Sequence, residues 1–287
     1  MKRFLIFILL VGAVGLGLGY TRALYRAQYP LTSPGVGTPS DTFANAIADD
    51  FFPKPLQRLA GKSVASATTL NAREVINLTN NARLENGQKA LKENSQLTLA
   101  AHRKISDMIQ LQYFEHKSPT GKEPADIIEA AGYAYVVVGE NLAEGDFADS
   151  ADLVQGWMNS PGHRANILNE KFTEIGVAVE RGELNGKQVW FAVQEFGRPL
   201  TDCPHIDQTL KTQIRNNETQ IQSLQLALQQ VQAEMSQAKQ NNHIDTYNSL
   251  VPKYNTLADQ INALVAKTKH IVSTYNNQVQ LFNACVE

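Results

Sequence analysis

Cysteine is nearly absent from this chain, with two in 287 residues. That excludes a disulfide-dense scaffold and a cysteine-rich zinc module. Charge is scarce and balanced: 26 Lys+Arg face 28 Asp+Glu, for a formal net charge of −2. Nucleic-acid binders carry a basic excess, so no nucleic-acid partner is expected. Neither GxGxxG nor GxxxxGK followed by Ser or Thr occurs, which disfavours nucleotide enzymes of those types. Glycine is missing beyond Cys203, where Pro204 and Pro252 are the only prolines. What is present is a 43% hydrophobic complement, enough for packed cores in about two domains.

Lys2 and Arg3 precede an apolar run over residues 4–20. A basic segment followed by an apolar one is what export machinery reads. Two forms stay open: a signal peptide cleaved near Ala23, or an uncleaved transmembrane anchor at the lower length limit for a bilayer span. Arg22 and Arg26 follow the run, so the charge bias for orientation is weak. Either form makes the protein extracytoplasmic, secreted or membrane-anchored through residues 4–20. Residues 24–69 read as a linker punctuated by Pro30, Pro34, Pro39, Pro53 and Pro55. Phe51 and Phe52 are its candidates for docking, with no period to support a long element.

Helix and strand signals alternate irregularly over residues 70–198. Asn71-Ala-Arg-Glu74 resembles a capping box, followed by Val75, Leu78, Ala82 and Leu84 as an apolar face. Residues 97–111 read as a second helix, with Leu99, Ile105, Met108 and Ile109 as core. Residues 125–131 and 152–158 read as short helices, and Ser160-Pro161 is a helix start. Residues 135–138 are β-rich. Residues 175–179 and 189–193 read as strands of a hairpin turning at Asn185-Gly186. The expected class is α+β, an α–β–α arrangement rather than a doubly wound parallel sheet.

Residues 203–287 read as a long antiparallel helical hairpin. Leu210, Ile214, Ile221, Leu224, Leu228, Val231 and Met235 form a coiled-coil seam. A less regular seam runs from Tyr254 to Phe282, and Asn241-Asn242-His243 reads as the turn. Pro252 either kinks the second helix or begins it. Cys203 and Cys285 each lie 41 positions from residue 244, so a hairpin turning there brings them side by side as a disulfide. Pairing between chains, making an oligomer through these helices, is the alternative.

Of six histidines, His116 and His163 have distinctive settings. His116 follows a helix in Tyr113-Phe-Glu-His-Lys-Ser-Pro119. His163 sits in the first turn of the helix opened by Ser160. Glu140 follows the β-rich run. Two imidazoles and a carboxylate are a sufficient inner shell for a divalent ion, zinc foremost, with one open position. Glu195 follows the second hairpin strand and could approach the same site, but reads first as an exposed strand-end carboxylate; Trp157, Trp190 and Phe196 read as core.

The segments Asn77-Leu-Thr-Asn-Asn-Ala-Arg83, Phe114-Glu-His-Lys-Ser-Pro119, Gly139-Glu-Asn-Leu-Ala143, Trp157-Met-Asn-Ser-Pro-Gly-His-Arg-Ala-Asn-Ile-Leu168 and Phe172-Thr-Glu-Ile-Gly-Val177 resemble, in order and spacing, those of the CAP superfamily. This group, with its SCP domain, includes cysteine-rich secretory, antigen 5 and pathogenesis-related proteins. The bacterial extracytoplasmic branch is the nearest in character. The resemblance covers residues 70–198 and implies an α–β–α sandwich with a cleft of two His and two Glu. His116, His163 and Glu140 match three of these. Ser160 stands about where the second Glu would be. Asn141, Ser160, Arg164 and Asn166 are expected to support the cleft, Asn141 by orienting its loop and Arg164 and Asn166 by holding the helix start rather than touching ligand.

Three functions follow. The first is an extracytoplasmic binding module of the cell envelope. Its cleft would take a divalent metal, a small ligand, a lipid, a peptide or a cell-wall component, with the coiled coil as a spacing or assembly arm. The second is a metal-assisted hydrolase of peptide or cell-wall material, with Glu140 as candidate general base. The third is a structural or adhesion protein with a vestigial cleft.

Overall fold

The computed structural model describes residues 51–58 and 69–286. Residues 1–23, the leader or anchor segment, lie outside the described residues, as does most of the linker. Among the described residues no helix is long and apolar enough to cross a membrane. The chain divides at Cys203 into two compact units.

The first unit contains β1 (Leu56–Arg58), α1 (Ala72–Glu85), β2 (Lys92–Glu93), α2 (Ser95–Leu111), α3 (Pro124–Ala130), β3 (Tyr135–Gly145), α4 (Ser150–Asn159), α5 (Pro161–Ile167), β4 (Glu174–Leu184) and β5 (Lys187–Pro199). The strands form one sheet in the order β1-β3-β5-β4-β2. Central β5 is antiparallel to β3 and β4, while β1 and β2 add parallel edges. Local signals act as expected at several ends. The Asn71 side chain accepts from the Glu74 N–H and opens α1. Asn185 and Gly186, with φ of 51° and 77°, turn the β4–β5 hairpin.

Side-chain alternation along β5 explains the layers. Trp190, Ala192 and Phe196 pack on one side with Val75 and Ile76 of α1 and Leu153 and Trp157 of α4. Phe191 and Val193 pack on the other with Ala101, Ile105 and Met108 of α2. With both faces of the sheet covered, the unit is the expected α–β–α sandwich. Leu84 and Leu99, expected in the core, are 59% and 43% exposed. Ile105 and Met108 of α2 are buried as expected, and the inner stripe continues through Leu97 and Ala101 rather than Leu99. Residues 51–58 also depart from the linker reading, because β1 pairs with the edge of β3 and belongs to the sheet.

The second unit is two long helices, α6 (Gln208–Gln240) and α7 (Ile244–Val286), reversing at Asn241–His243. Asn242 takes a left-handed φ of 57° there. Cys203 and Cys285 form a disulfide with their Cα atoms 5.6 Å apart, which places the link within one chain. The buried seam is short: Ile214, Leu228, Val231 and Ala238 from α6, with Ile271 and Val272 from α7. A buried Asn217 Nδ2 donates to Thr268 Oγ1 at 3.0 Å. Such a polar pair favours one register, since sliding leaves both groups unpaired. Pro252 lies inside α7, not at its start.

Candidate functional site

Glu140 and Glu195 are register partners on β3 and β5. Each is two residues from a side chain, Leu142 or Val193, that packs toward α2. The period of two therefore sends both carboxyls to the same face. Both are fully buried. Opposite them, α2 contributes Lys104, also fully buried. Its Nζ donates to the carbonyls of Glu115, at 2.8 Å, and His116, and to the Tyr113 hydroxyl at 3.3 Å. Lys104 thus gathers the loop that follows α2 and carries His116. The His116 ring lies 2.6 Å through Nδ1 from Glu140 Oε1, and 2.6 Å through Nε2 from the Pro53 carbonyl. Both partners accept, so each ring nitrogen carries a hydrogen when both bonds are made.

His163 enters from α5. Ser160 occupies the N-cap position, yet its hydroxyl makes no cap bond and instead meets His163 Nδ1 at 2.8 Å. Burial, followed by the neighbouring His116, lowers the His163 pKa to about 4, against a weaker opposing pull from the Leu142 carbonyl. The ring is neutral at neutral pH, and Nε2 has no hydrogen-bond partner in good geometry.

The two carboxyls separate electrostatically. Burial alone would raise Glu140, but Lys104 and the His116 bond outweigh it and hold its pKa below the ordinary range. Glu195 is pushed well above that range, by burial first and by the adjacent Glu140 second. Like charges this close cannot both ionise in a dry site. Neither Glu195 oxygen meets an N–H or O–H donor from another group. The proton that Glu195 keeps supplies its hydrogen bond to Glu140. The cluster thus presents one ionised carboxylate, one protonated carboxyl and one neutral imidazole.

On the opposite face of the same strands, Asn141 pairs across the register with Gln194. Asn141 Nδ2 donates to Gln194 Oε1 and to the His163 carbonyl, both at 3.1 Å. Gln194 continues to Thr79 on α1 at 2.7 Å. Asn166 Nδ2 reaches Asn141 Oδ1 at 3.0 Å and the Phe51 carbonyl at 2.7 Å. Asn141 and Asn166 therefore tie β3 to α5, β5 and the Phe51 carbonyl. Arg164 does not reach the cleft, since its guanidinium turns outward to Asn86 Oδ1 at 2.9 Å.

Sequence reasoning missed four parts of this site. Glu195 is a buried partner of Glu140 rather than an exposed strand end, so the second carboxylate comes from β5 and Ser160 serves His163. Alternation in Phe191-Ala-Val-Gln-Glu195 could have placed Glu195 inward, but its pairing with Glu140 needs the β3–β5 register. Lys104 is one lysine in an amphipathic helix. Gln194 had no local signal. Phe51-Phe-Pro53 lay in a segment with no period.

His116, Glu140 and His163 were also expected to share a divalent ion. Among the described residues no three His, Cys, Asp or Glu side chains are arranged to hold one. Both His116 nitrogens already face other acceptors. As arranged, these residues do not fit a three-ligand shell.

Residues 76–196 match the family model described as CAP, the cysteine-rich secretory protein family. Two relatives come from Bacillus subtilis (strain 168). The uncharacterized protein YkwD is 41% identical over 123 residues, covering 42% of this chain and 48% of its own length. The uncharacterized membrane protein YlbC is 32% identical over 113 residues, covering 39% of this chain and 32% of its own. The chain therefore spans less than half of either relative. Among solved structures, similarity extends to an extracellular protein containing a SCP domain from Bacillus anthracis str. Ames. That match has 33% identity and a TM-score of 0.39, covering 44% of this chain and 40% of that one. An outer surface protein from Borrelia burgdorferi matches at 20% identity and a TM-score of 0.38, over 44% of this chain and 91% of that one. The sandwich is a CAP domain. Residues 76–196 thus match the CAP family model, and that segment is similar to the bacterial relatives above.

Proposed function

We propose that the protein is an exported CAP-domain module that binds an envelope-derived ligand in the cleft of His116, Glu140, His163 and Glu195. The hairpin of α6 and α7 serves it as a spacing or assembly arm. The observation that carries this reading is a cluster of buried polar atoms short of partners: His163 Nε2 and Asn166 Oδ1 have none in good geometry, and Glu140 Oε2 and the Glu195 oxygens meet no donor beyond the proton the two carboxyls share. Buried polar groups are otherwise almost always satisfied. A group of exceptions in one cleft suits a ligand that both donates and accepts hydrogen bonds. A peptide or a cell-wall fragment has that chemistry, whereas a lipid tail does not. Export is supported by the basic-then-apolar N-terminus and by a disulfide, which persists in oxidising compartments.

The test is calorimetric titration of the full-length protein with three probes: muropeptides, a pool of unstructured peptides, and phospholipid vesicles. Binding of a muropeptide or peptide that weakens at least tenfold in His163→Gln supports the reading. Binding of none of the three probes, or binding indifferent to His163→Gln in a variant folded by circular dichroism, overturns it.

A further inference from the structure

We propose that residues 51–58 are a built-in, displaceable ligand of the cleft, and that the partner which displaces them is an extended polypeptide with aromatic residues ahead of a proline. This deepens the proposed function by naming the ligand class, and it rests on that reading.

What the cleft touches in this segment is two main-chain carbonyls and two aromatic rings, groups that a peptide offers. Asn166 Nδ2 donates to the Phe51 carbonyl at 2.7 Å, and His116 Nε2 meets the Pro53 carbonyl at 2.6 Å. The Phe52 ring lies edge-on to the His116 ring at 5.6 Å, and the Phe51 ring edge-on to Phe172 at 5.7 Å. Leu56–Arg58 then adds a short parallel strand to the edge of β3. Main-chain capture plus strand addition at an open edge is a recurring mode of peptide recognition.

The floor under this path is glycine. A Cβ on Gly162 would stand 2.5 Å from Pro53 Cβ, and all three of its nearest atoms belong to Pro53. A Cβ on Gly145 would stand 2.2 Å from the Arg58 carbonyl oxygen. Gly156 would meet Leu56 at 3.2 Å, and Gly139 would meet the Phe51 carbonyl oxygen at 3.2 Å. A side chain at any of these four positions would press on a backbone or side chain of the segment. The groove is cut to the width of a polypeptide.

The segment is also an incomplete ligand. It meets His116 Nε2 and Asn166 Nδ2 but leaves His163 Nε2 and Asn166 Oδ1 without a partner, and brings no donor to Glu140 Oε2 or the Glu195 oxygens beyond the proton they share. Its strand is three residues long, at a sheet edge. Short edge elements open at low free-energy cost. A free peptide competes against a tethered one whose effective concentration is on the order of millimolar, so an intact segment masks the groove from weak ligands.

The experiment uses the full chain and a fluorescent synthetic peptide with the sequence of residues 50–58. Phe51→Ala/Phe52→Ala weakens the tethered ligand and leaves the groove intact, so peptide affinity is expected to rise at least tenfold over wild type. Gly162→Val obstructs the groove for both copies. There, peptide binding is expected to be lost, and amides of residues 56–58 should exchange hydrogen at least tenfold faster. Unchanged protection of β4 and β5 establishes that each variant is folded. Equal peptide affinity in wild type and the double variant overturns the proposal, as does equal binding of a scrambled peptide. If the double variant does not fold, exchange in Gly162→Val decides: unchanged protection at residues 56–58 refutes a displaceable segment. Muropeptide binding that persists when this peptide fails would sink the ligand class alone and leave the proposed function standing.

Discussion

Breaking the Cys203–Cys285 disulfide should melt the helical hairpin far below its oxidised transition and leave the CAP domain in place. The bridge spans a sequence separation of 82 residues. In the chain-entropy treatment, closing a loop that long removes about 4.5 kcal/mol of unfolded-state freedom. Native bridges measured in other proteins contribute about 2–5 kcal/mol. The hairpin has little to offset such a loss, because its buried apolar seam is confined to a few side chains such as Ile214, Leu228, Val231, Ile271 and Val272. For a unit of this size each kcal/mol moves the midpoint by about 4–8 °C, so the expected drop is roughly 20 °C and at least about 8 °C. The assay is far-ultraviolet circular dichroism during heating of wild type, reduced wild type and Cys203→Ser/Cys285→Ser. Near-ultraviolet dichroism follows the sandwich through buried Trp157 and Trp190. A helical transition that moves by less than about 5 °C on reduction would refute the reasoning, by showing that the helix contacts alone hold the arm.

Two further outcomes concern the cleft. Glu195 has a raised folded-state pKa, so its stabilising contribution is complete below the ordinary carboxylate range and is lost as pH rises toward the folded value. Glu195→Gln should therefore gain on wild type by up to about 1.4 kcal/mol per pH unit above that range in urea unfolding. A difference flat between pH 4 and 8 would contradict a protonated Glu195. His163 and Glu140 carry the opposite dependence, weakening the fold as pH falls; the comparison of variant with parent removes the His163 part, while Glu140 titrates together with Glu195. Ser160→Ala takes away the partner of His163 Nδ1 and leaves a buried imidazole without a well-placed partner, at a cost of about 1–3 kcal/mol. A change within about 0.5 kcal/mol would mean that water replaces the hydroxyl.

Much of the architecture was legible along the chain because its causes are local. Asn71 caps a helix, Pro161 opens another after Ser160, and Asn185-Gly186 turns a hairpin, each through local backbone chemistry. The placement of Cys203 and Cys285 about one turn signalled their pairing. His116, Glu140 and His163 were visible as titratable groups set beside turns and element ends. Leu84 and Leu99 misled because hydrophobicity marks a candidate for burial, while the phase of the whole helix decides which candidates face inward.

What the chain alone determined, then, was most of the helices and the three longer strands, the long helical arm with its candidate cysteine pair, and three titratable residues carried by recognisable segments. Tertiary structure alone decided that Glu195 is a cleft carboxyl, because a strand's alternation names two faces but only the β3–β5 register names the partner across it. It also decided that Lys104 gathers the His116 loop and that Phe51–Pro53 fills the groove. Those contacts join positions far apart in sequence, and no local preference records which backbone will come to lie over a glycine floor.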